Sequence, residues 1–412
     1  MTAGFFNSDR RFRLDVPQIH YELRSFFEFG EFTAVEEREF DGLCVPVYEN
    51  AFWTARQREG HPLHEISYRA CYKPQLPAFF IKRFCGQDDL VYDPFMGRGT
   101  TVIEAQLHGC RAAGNDINPL SAVLTIPRLN PPTLKCIQAR LELIELVHTD
   151  PVDEDLLVFF EPQTLDELYG WRTYFRTRRQ SGKLDPVDQW IQMVACNRLT
   201  GHSSGFFSVY TLPPNQATSL VAQRRINAKR NQNPEYRDTK ALILRKSRQL
   251  LKQALPAGFA REDYQIMTAS ADQTSALAAD SVQLVVTSPP FLDTVDYAGD
   301  NWLRMWFCEV SLQSKKIWQL RSVDDWLARM SEVLIELKRV LKSEGCIAFE
   351  VGEVRKGALL LENEIVKAGL SVGLVPQCIM INSQSFTKTA NCWGVSNNRK
   401  GTNSNRIVIF TK

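Results

Sequence analysis

The sequence predicts an α/β fold: a Rossmann-like, mostly parallel sheet interrupted by a largely helical insertion. Three features carry this expectation. A strand, a glycine loop and a helix follow one another over residues 90–107, and a continuous apolar strand stands at Val282–Thr287. Between about 131 and 258 the strand and helix alternation gives way to helical stretches alone.

Residues 1–64 mix aromatic and acidic segments and read as an N-terminal extension. Lys73-Pro-Gln-Leu-Pro-Ala-Phe-Phe-Ile-Lys-Arg83 places prolines ahead of a short apolar helix. Leu90-Val-Tyr-Asp-Pro reads as a strand ending in a turn, Gly97 and Gly99 loosen the loop, and Thr100–Leu107 reads as the next helix. Arg111-Ala-Ala-Gly-Asn forms a second short strand ending at Asp116, roughly twenty residues after the glycine loop, the spacing of an acidic partner for a nucleoside ribose. Asn118-Pro119 stops it, closing a half-domain over 65–130. After the insertion at 131–258, strands and helices resume over 259–412: Tyr264-Gln-Ile-Met-Thr, Val282–Thr287, helices around Asn301–Phe307 and Trp326–Leu341, then strands at Gly345–Val351 and Arg406–Phe410. Two lobes are expected.

Composition bounds the class more than the function. An apolar fraction of 44% with 23% charged residues is that of an ordinary globular chain. A formal net charge of +2 offers no overall attraction to polyanions, so any nucleic-acid surface must be local. The ten cysteines contain no Cys-x-x-Cys pair and share no zinc-like spacing with the six histidines, so no metal is expected. Lacking an apolar signal core or a membrane-length apolar run, the chain is expected in the cytoplasm and away from membranes.

The loop Asp93-Pro-Phe-Met-Gly-Arg-Gly-Thr100 is too short for the dinucleotide fingerprint and lacks the Gly-Lys-Ser/Thr ending of triphosphate loops. Its alternate glycines admit close approach of a ligand, and Asp93 can accept from an ammonium group, which suits a ligand with a free amino acid moiety. This loop resembles that of the DNA amino-methyltransferases, and the resemblance implies S-adenosylmethionine as cofactor. It further implies a class I methyltransferase sheet with an antiparallel C-terminal strand. On that resemblance Asp93, Pro94, Phe95, Gly97, Gly99 and Thr100 surround the cofactor, Asp116 binds the ribose, and Asp272 lies near the adenine. Asp272 has an alternative, as the N-cap of a helix starting near Thr274.

Ser288-Pro-Pro-Phe291 follows the buried strand directly. An exocyclic base amine has its lone pair delocalised into the ring, so methylation requires that nitrogen to be made tetrahedral. The Ser288 hydroxyl and the Pro289 carbonyl can accept its two hydrogens, Pro290 stiffens the turn, and Phe291 offers a face for an extruded base. Ser-Pro-Pro-Phe is similar to the cytosine-N4 branch of the family, with adenine-N6 as the alternative. No cysteine follows the proline here, which excludes the cytosine-C5 mechanism at this site. An RNA amino-methyltransferase and a non-catalytic DNA-binding protein with a degenerate methyltransferase fold are the rival readings.

Two basic stretches within 131–258 suggest the reader of double-stranded DNA. Tyr169–Lys183 interleaves aromatics with Arg172, Arg176, Arg178 and Arg179, and Ala222–Lys252 carries Arg224, Arg225, Lys229 and Arg230. The alternative is a solvated charged helical face. His202, in a Ser/Gly-rich turn, reads as structural rather than as a general base. The chain is expected to act on DNA either alone or beside a companion restriction endonuclease.

Overall fold

The computed structural model of the chain describes residues 15–54, 60–212, 214–259, 263–290, 296–310, 322–352, 359–383 and 404–412. Strands β1 (Ala34–Phe40), β2 (Leu43–Asn50), β3 (Leu90–Asp93), β4 (Arg111–Asn115), β5 (Tyr264–Met267), β6 (Val282–Thr287), β7 (Leu341–Val351), β8 (Val375–Ser383) and β9 (Ser404–Thr411) form one sheet in the order β1-β2-β8-β9-β7-β6-β3-β4-β5. From β5 through β4, β3 and β6 to β7 every pairing is parallel, and β9 runs antiparallel to both its neighbours, β7 and β8. All residues of β3 and β6 are buried, as expected of parallel strands covered on both faces.

Residues 1–64, set apart above as an extension, supply the hairpin of β1 and β2, and β2 joins the sheet by parallel pairing with β8. The fully buried Glu362 bridges this hairpin to the sheet: it pairs with Arg38 of β1 at 3.2 Å and with Arg406 of β9. The alternation of β1 is largely solvent-facing, which is why no apolar pattern announced it.

On one face lie α11 (Val323–Val340) and α12 (Leu361–Ser371). Trp326, Met330, Val333, Leu334, Leu337 and Val340 recur at helical spacing and form the buried stripe of α11. On the other face pack α2 (Gln75–Phe84), α3 (Thr100–Leu107) and α4 (Pro119–Leu129). The segment expected to be helical contains α5 (Leu134–Leu143), α6 (Pro162–Gln180), α7 (Pro186–Cys196), α8 (Leu220–Arg230) and α9 (Thr239–Leu250). Helices start where the sequence supplies caps, as at Asp185, which with Asp188 closes a capping box ahead of Pro186.

The two expected lobes share a core. Trp171, Trp190, Ile191 and Ile243 of the helical segment belong to the same apolar cluster as Val91, Val102 and Leu284 of the sheet side. Two buried tryptophans find polar partners on α9: the Trp171 indole donates to Thr239 Oγ1 at 2.9 Å and that of Trp190 to Ser247 Oγ at 3.0 Å. Helix α10 (Tyr297–Cys308) adds Leu303 and Phe307 to this cluster.

Candidate active site

The strand order reverses between β3 and β6. Crevices outside the carboxyl ends of strands at such a switch point are where open α/β sheets bind ligands. The two motifs meet there. Thr287, last of β6, donates its hydroxyl to Asp93 Oδ1 at 2.7 Å, and Asp93 is last of β3. The Tyr72 hydroxyl donates to Asp93 Oδ2 at 2.7 Å and the Phe95 N–H to Oδ1 at 3.0 Å. Thr101, in the first turn of α3, donates to the Val286 carbonyl at 3.1 Å. The Asp93 carboxylate is thus buried among internal donors, and the cavity wall beside it is built by Pro94, Phe95, Met96, Gly97 and Thr100. Burial pushes the Asp93 carboxyl up to about 6, against the opposing pull of these hydrogen bonds.

The glycines act through the backbone. Gly97 has φ +49° and Gly99 φ +74°, both in the left-handed region. A Cβ on Gly99 would lie 2.5 Å from Thr125 Cγ2, so α4 packs directly against the loop; Gly99 is the N-cap of α3 and stands behind the cavity lining. Gly97 lines the cavity and donates its N–H to Asp116 Oδ2 at 2.9 Å, while the Asn118 N–H donates to Oδ1 at 2.8 Å. With Ser121 as a further donor, the four acceptor positions of the Asp116 carboxylate are not all taken, and burial raises its carboxyl from the ordinary range. Asn115 closes the far side. Its amide donates to the Pro94 and Ala269 carbonyls at 3.2 and 3.0 Å and accepts from the Ala269 N–H at 3.0 Å, stapling the glycine loop to the segment after β5.

Tyr68, Tyr297, Ser270 and Ser288 complete the walls of the resulting cavity. Ala271 lines it, whereas Asp272 lies just outside the lining with a buried Oδ1 that has no donor. No helix follows Asp272, so the N-cap alternative falls: Thr274 instead donates its N–H and hydroxyl to Glu336 Oε1 at 2.9 and 2.6 Å.

Ser288 and Pro290 stand on the cavity wall and Pro289 behind it. The Pro290 carbonyl accepts from the Trp326 indole at 3.0 Å, which pins the turn to α11. Ser288 hydrogen-bonds to Glu350, a buried residue near the end of β7 that also accepts from Asn405 Nδ2 at 3.0 Å. Burial raises the Glu350 carboxyl, and the bonds from Ser288 and Asn405 oppose it. Phe291 lies outside the described residues. Sequence reasoning did not find Tyr72, Thr287, Trp326 or Glu350, because each acts through a partner far away in the chain.

The basic residues separate into two groups. Arg172 pairs with Glu309 at 3.4 Å and lies 4.5 Å over the Trp306 ring, Arg176 bridges Glu309 and Asp150 at 2.8 and 2.9 Å, Arg178 holds Asp188 at 2.7 Å, and Arg224 pairs with Asp155. These four brace the helices. Arg179, Arg225 and Lys229 are exposed and form no ion pair among the described residues; exposed Arg230 stacks at 3.7 Å over Tyr210. Among the described residues no cluster of three or more His, Cys, Asp or Glu could hold a metal, and no helix is long and apolar enough to cross a membrane.

The parallel strands with antiparallel β9 inserted between β7 and β8 make this a class I methyltransferase sheet, with the glycine loop and the proline turn at its switch point. The N6/N4 methyltransferase family model, described as DNA methylase, matches residues 45–122 and 282–412, just over half of the chain, and the chain belongs to that family. It is 34% identical over 74 residues to the type II methyltransferase M.MjaII of Methanocaldococcus jannaschii, covering 18% of this chain and 14% of that protein. It is 39% identical over 67 residues to M.MvaI of Kocuria varians, covering 16% and 15%. These matches therefore span about one seventh of the relatives' length. Among solved structures, the rRNA methyltransferase aviRa from Streptomyces viridochromogenes aligns over 88% of this chain and 96% of its own at 12% identity and a TM-score of 0.34.

Two substitutions test this construction. Gly99→Ala is expected to destabilise the chain by about 2–4 kcal/mol in urea unfolding, from left-handed strain and overlap with Thr125. Asp93→Ala, leaving two hydroxyls and one N–H without their acceptor, is expected to cost about 3 kcal/mol. Because the folded-state carboxyl lies above its ordinary value of 3.8, the folded chain binds the proton more tightly, and the Asp93 contribution to stability is lost as pH rises from about 4 to about 6. Asp93→Asn should flatten that part of the stability profile, measured by unfolding at stepped pH.

Proposed function

We propose that this chain transfers a methyl group from S-adenosylmethionine to the exocyclic amine of a base extruded from duplex DNA, with cytosine N4 as the atom methylated. The observation that carries the proposal is the shared cavity: Ser288 stands on the same wall system as Phe95, Gly97 and Asp116. The residues suit the cofactor. Asp116 keeps acceptor capacity for ribose hydroxyls, Phe95 and Ile117 offer apolar faces for an adenine, and Asp272 has an acceptor without a donor next to the lining. Bound S-adenosylmethionine supplies an electrophilic methyl on a sulfonium.

The chain's own contribution is to the amine. Ser288 gives its hydroxyl proton to Glu350, which leaves the oxygen's lone pairs for an amine hydrogen. The Pro290 carbonyl, on the cavity wall, accepts from Trp326 and keeps its second lone pair for the other amine hydrogen. Held in this way, the nitrogen turns its lone pair toward the methyl carbon. The proton that the methylated amine sheds passes to the Ser288 oxygen as Ser288 passes its own to Glu350, so the serine ends unchanged. Serine at the first position of the turn, rather than aspartate or asparagine, supports cytosine N4. The type II relatives support extending the proposal to a companion restriction endonuclease.

Incubation of the chain with radiolabelled cofactor and mixed-sequence DNA, followed by nucleoside analysis, is expected to yield N4-methylcytosine. Ser288→Ala should lower the turnover number by about 10²-fold with cofactor affinity unchanged. Labelled N6-methyladenine would reassign the base. Cofactor binding without transfer to DNA would remove the reading.

A further inference from the structure

A second, open cleft of about 1280 Å³ shares the Tyr68 and Cys71 wall with the cofactor cavity. Lys73, Arg98, Arg198, Lys246 and Asn215 line it, opposed by a single lining carboxylate, Glu65. That carboxylate is already divided between Lys246 at 3.3 Å and Lys252 at 3.7 Å.

The arginines around this cleft are held by carbonyls. Arg98 donates to Ile66 O at 2.6 Å and His64 O at 3.2 Å; Arg304, behind the wall, donates to Pro214 O at 2.6 Å and Ser67 O at 2.9 Å. Arg198 donates to Asn197 O at 2.9 Å and lies 4.1 Å over the Phe206 ring. Carbonyl dipoles satisfy N–H groups without cancelling charge, and among the described residues no carboxylate pairs with Arg98, Arg198 or Arg304. Crowded, half-desolvated cations create a potential that an incoming anion relieves. Arg198 registers it: burial first, then Arg304 and Arg245, push its guanidinium down to about 10. Asn215 adds a buried Oδ1 without a donor.

We propose that this cleft holds the phosphodiester backbone of the DNA strand beside the nucleotide delivered to Ser288, with Arg198, Lys246 and Lys73 facing the phosphates. The inference rests on the DNA-methylation reading and adds where the strand runs. A phosphodiester is a monoanion whose oxygens only accept, which matches a cleft rich in donors and short of acids. Arg198 follows α7 and Lys246 belongs to α9, so the helical segment reaches the strand through this cleft.

The test is fluorescence anisotropy with a labelled mixed-sequence DNA duplex, titrated at several salt concentrations. The double variant Arg198→Gln/Lys246→Gln is expected to bind about tenfold or more weakly near physiological salt. Its slope of log affinity against log salt should be shallower by about 2, since each phosphate no longer neutralised removes about 0.9. Asn215→Asp, nearly isosteric and replacing the amide donor by a negative charge, should weaken binding in the same direction. S-adenosylmethionine affinity, measured by calorimetry, serves as the check that each variant is folded. Wild-type DNA binding with unchanged slope and affinity in these folded variants overturns the cleft alone. Absence of DNA binding by the wild type overturns the DNA reading with it. A slope change seen with RNA and not with duplex DNA assigns the cleft to another polymer and also overturns the proposal.

Discussion

The hydrogen bond from Thr287 to Asp93 is the constraint on which the site depends. Each residue terminates a buried parallel strand, and the two strands are neighbours across the point where the sheet reverses its order. Two segments almost two hundred residues apart are thereby fixed in depth as well as in register. Asp93 can hold Thr287 only because its other oxygen is taken by Tyr72, from a segment preceding both strands. A buried carboxylate is costly unless donors converge on it, and here three do. The cavity follows from this arrangement: with the strand ends locked, the glycine loop and the proline turn open toward one another.

A second layer supports the turn. Helix α11 runs into β7 without an intervening loop, Trp326 near the start of the helix holds the Pro290 carbonyl, and Glu350 near the end of the strand holds Ser288. One continuous helix–strand unit therefore fixes the turn at two points. The Ser288 hydroxyl is thus oriented by a residue outside the motif, Glu350.

The parts legible in the sequence were those encoded locally. Glycines that need positive φ, an acid at a strand end, and an all-apolar run leading into Ser-Pro-Pro are short-range signals, and they located the sheet's centre and the part of the cavity wall that the two motifs form. What escaped was encoded between distant residues. Arg172 and Arg176 looked like phosphate ligands because Glu309 is far away in sequence, and Arg224 did because Asp155 is. Composition registers a charge and is blind to its partner. The β1–β2 hairpin was missed for a related reason: β1 faces solvent over most of its length and carries no burial pattern. Conversely, the basic cleft draws single residues from several elements and never forms a charge run.

Asn115 has a consequence for how such a chain diversifies. The long helical segment leaves the sheet after β4 and returns at β5, and these two strands lie side by side, joined across their ends by the Asn115 amide and by the Asp116 N–H, which donates to the Met267 carbonyl at 3.3 Å. Entry and exit of some hundred and fifty residues are thus reduced to adjacent points on one edge. Whatever is grafted there inherits the same seam. A change of length within that segment can leave the β4–β5 seam in register so long as the core that Trp171 and Trp190 share with Leu284 stays packed.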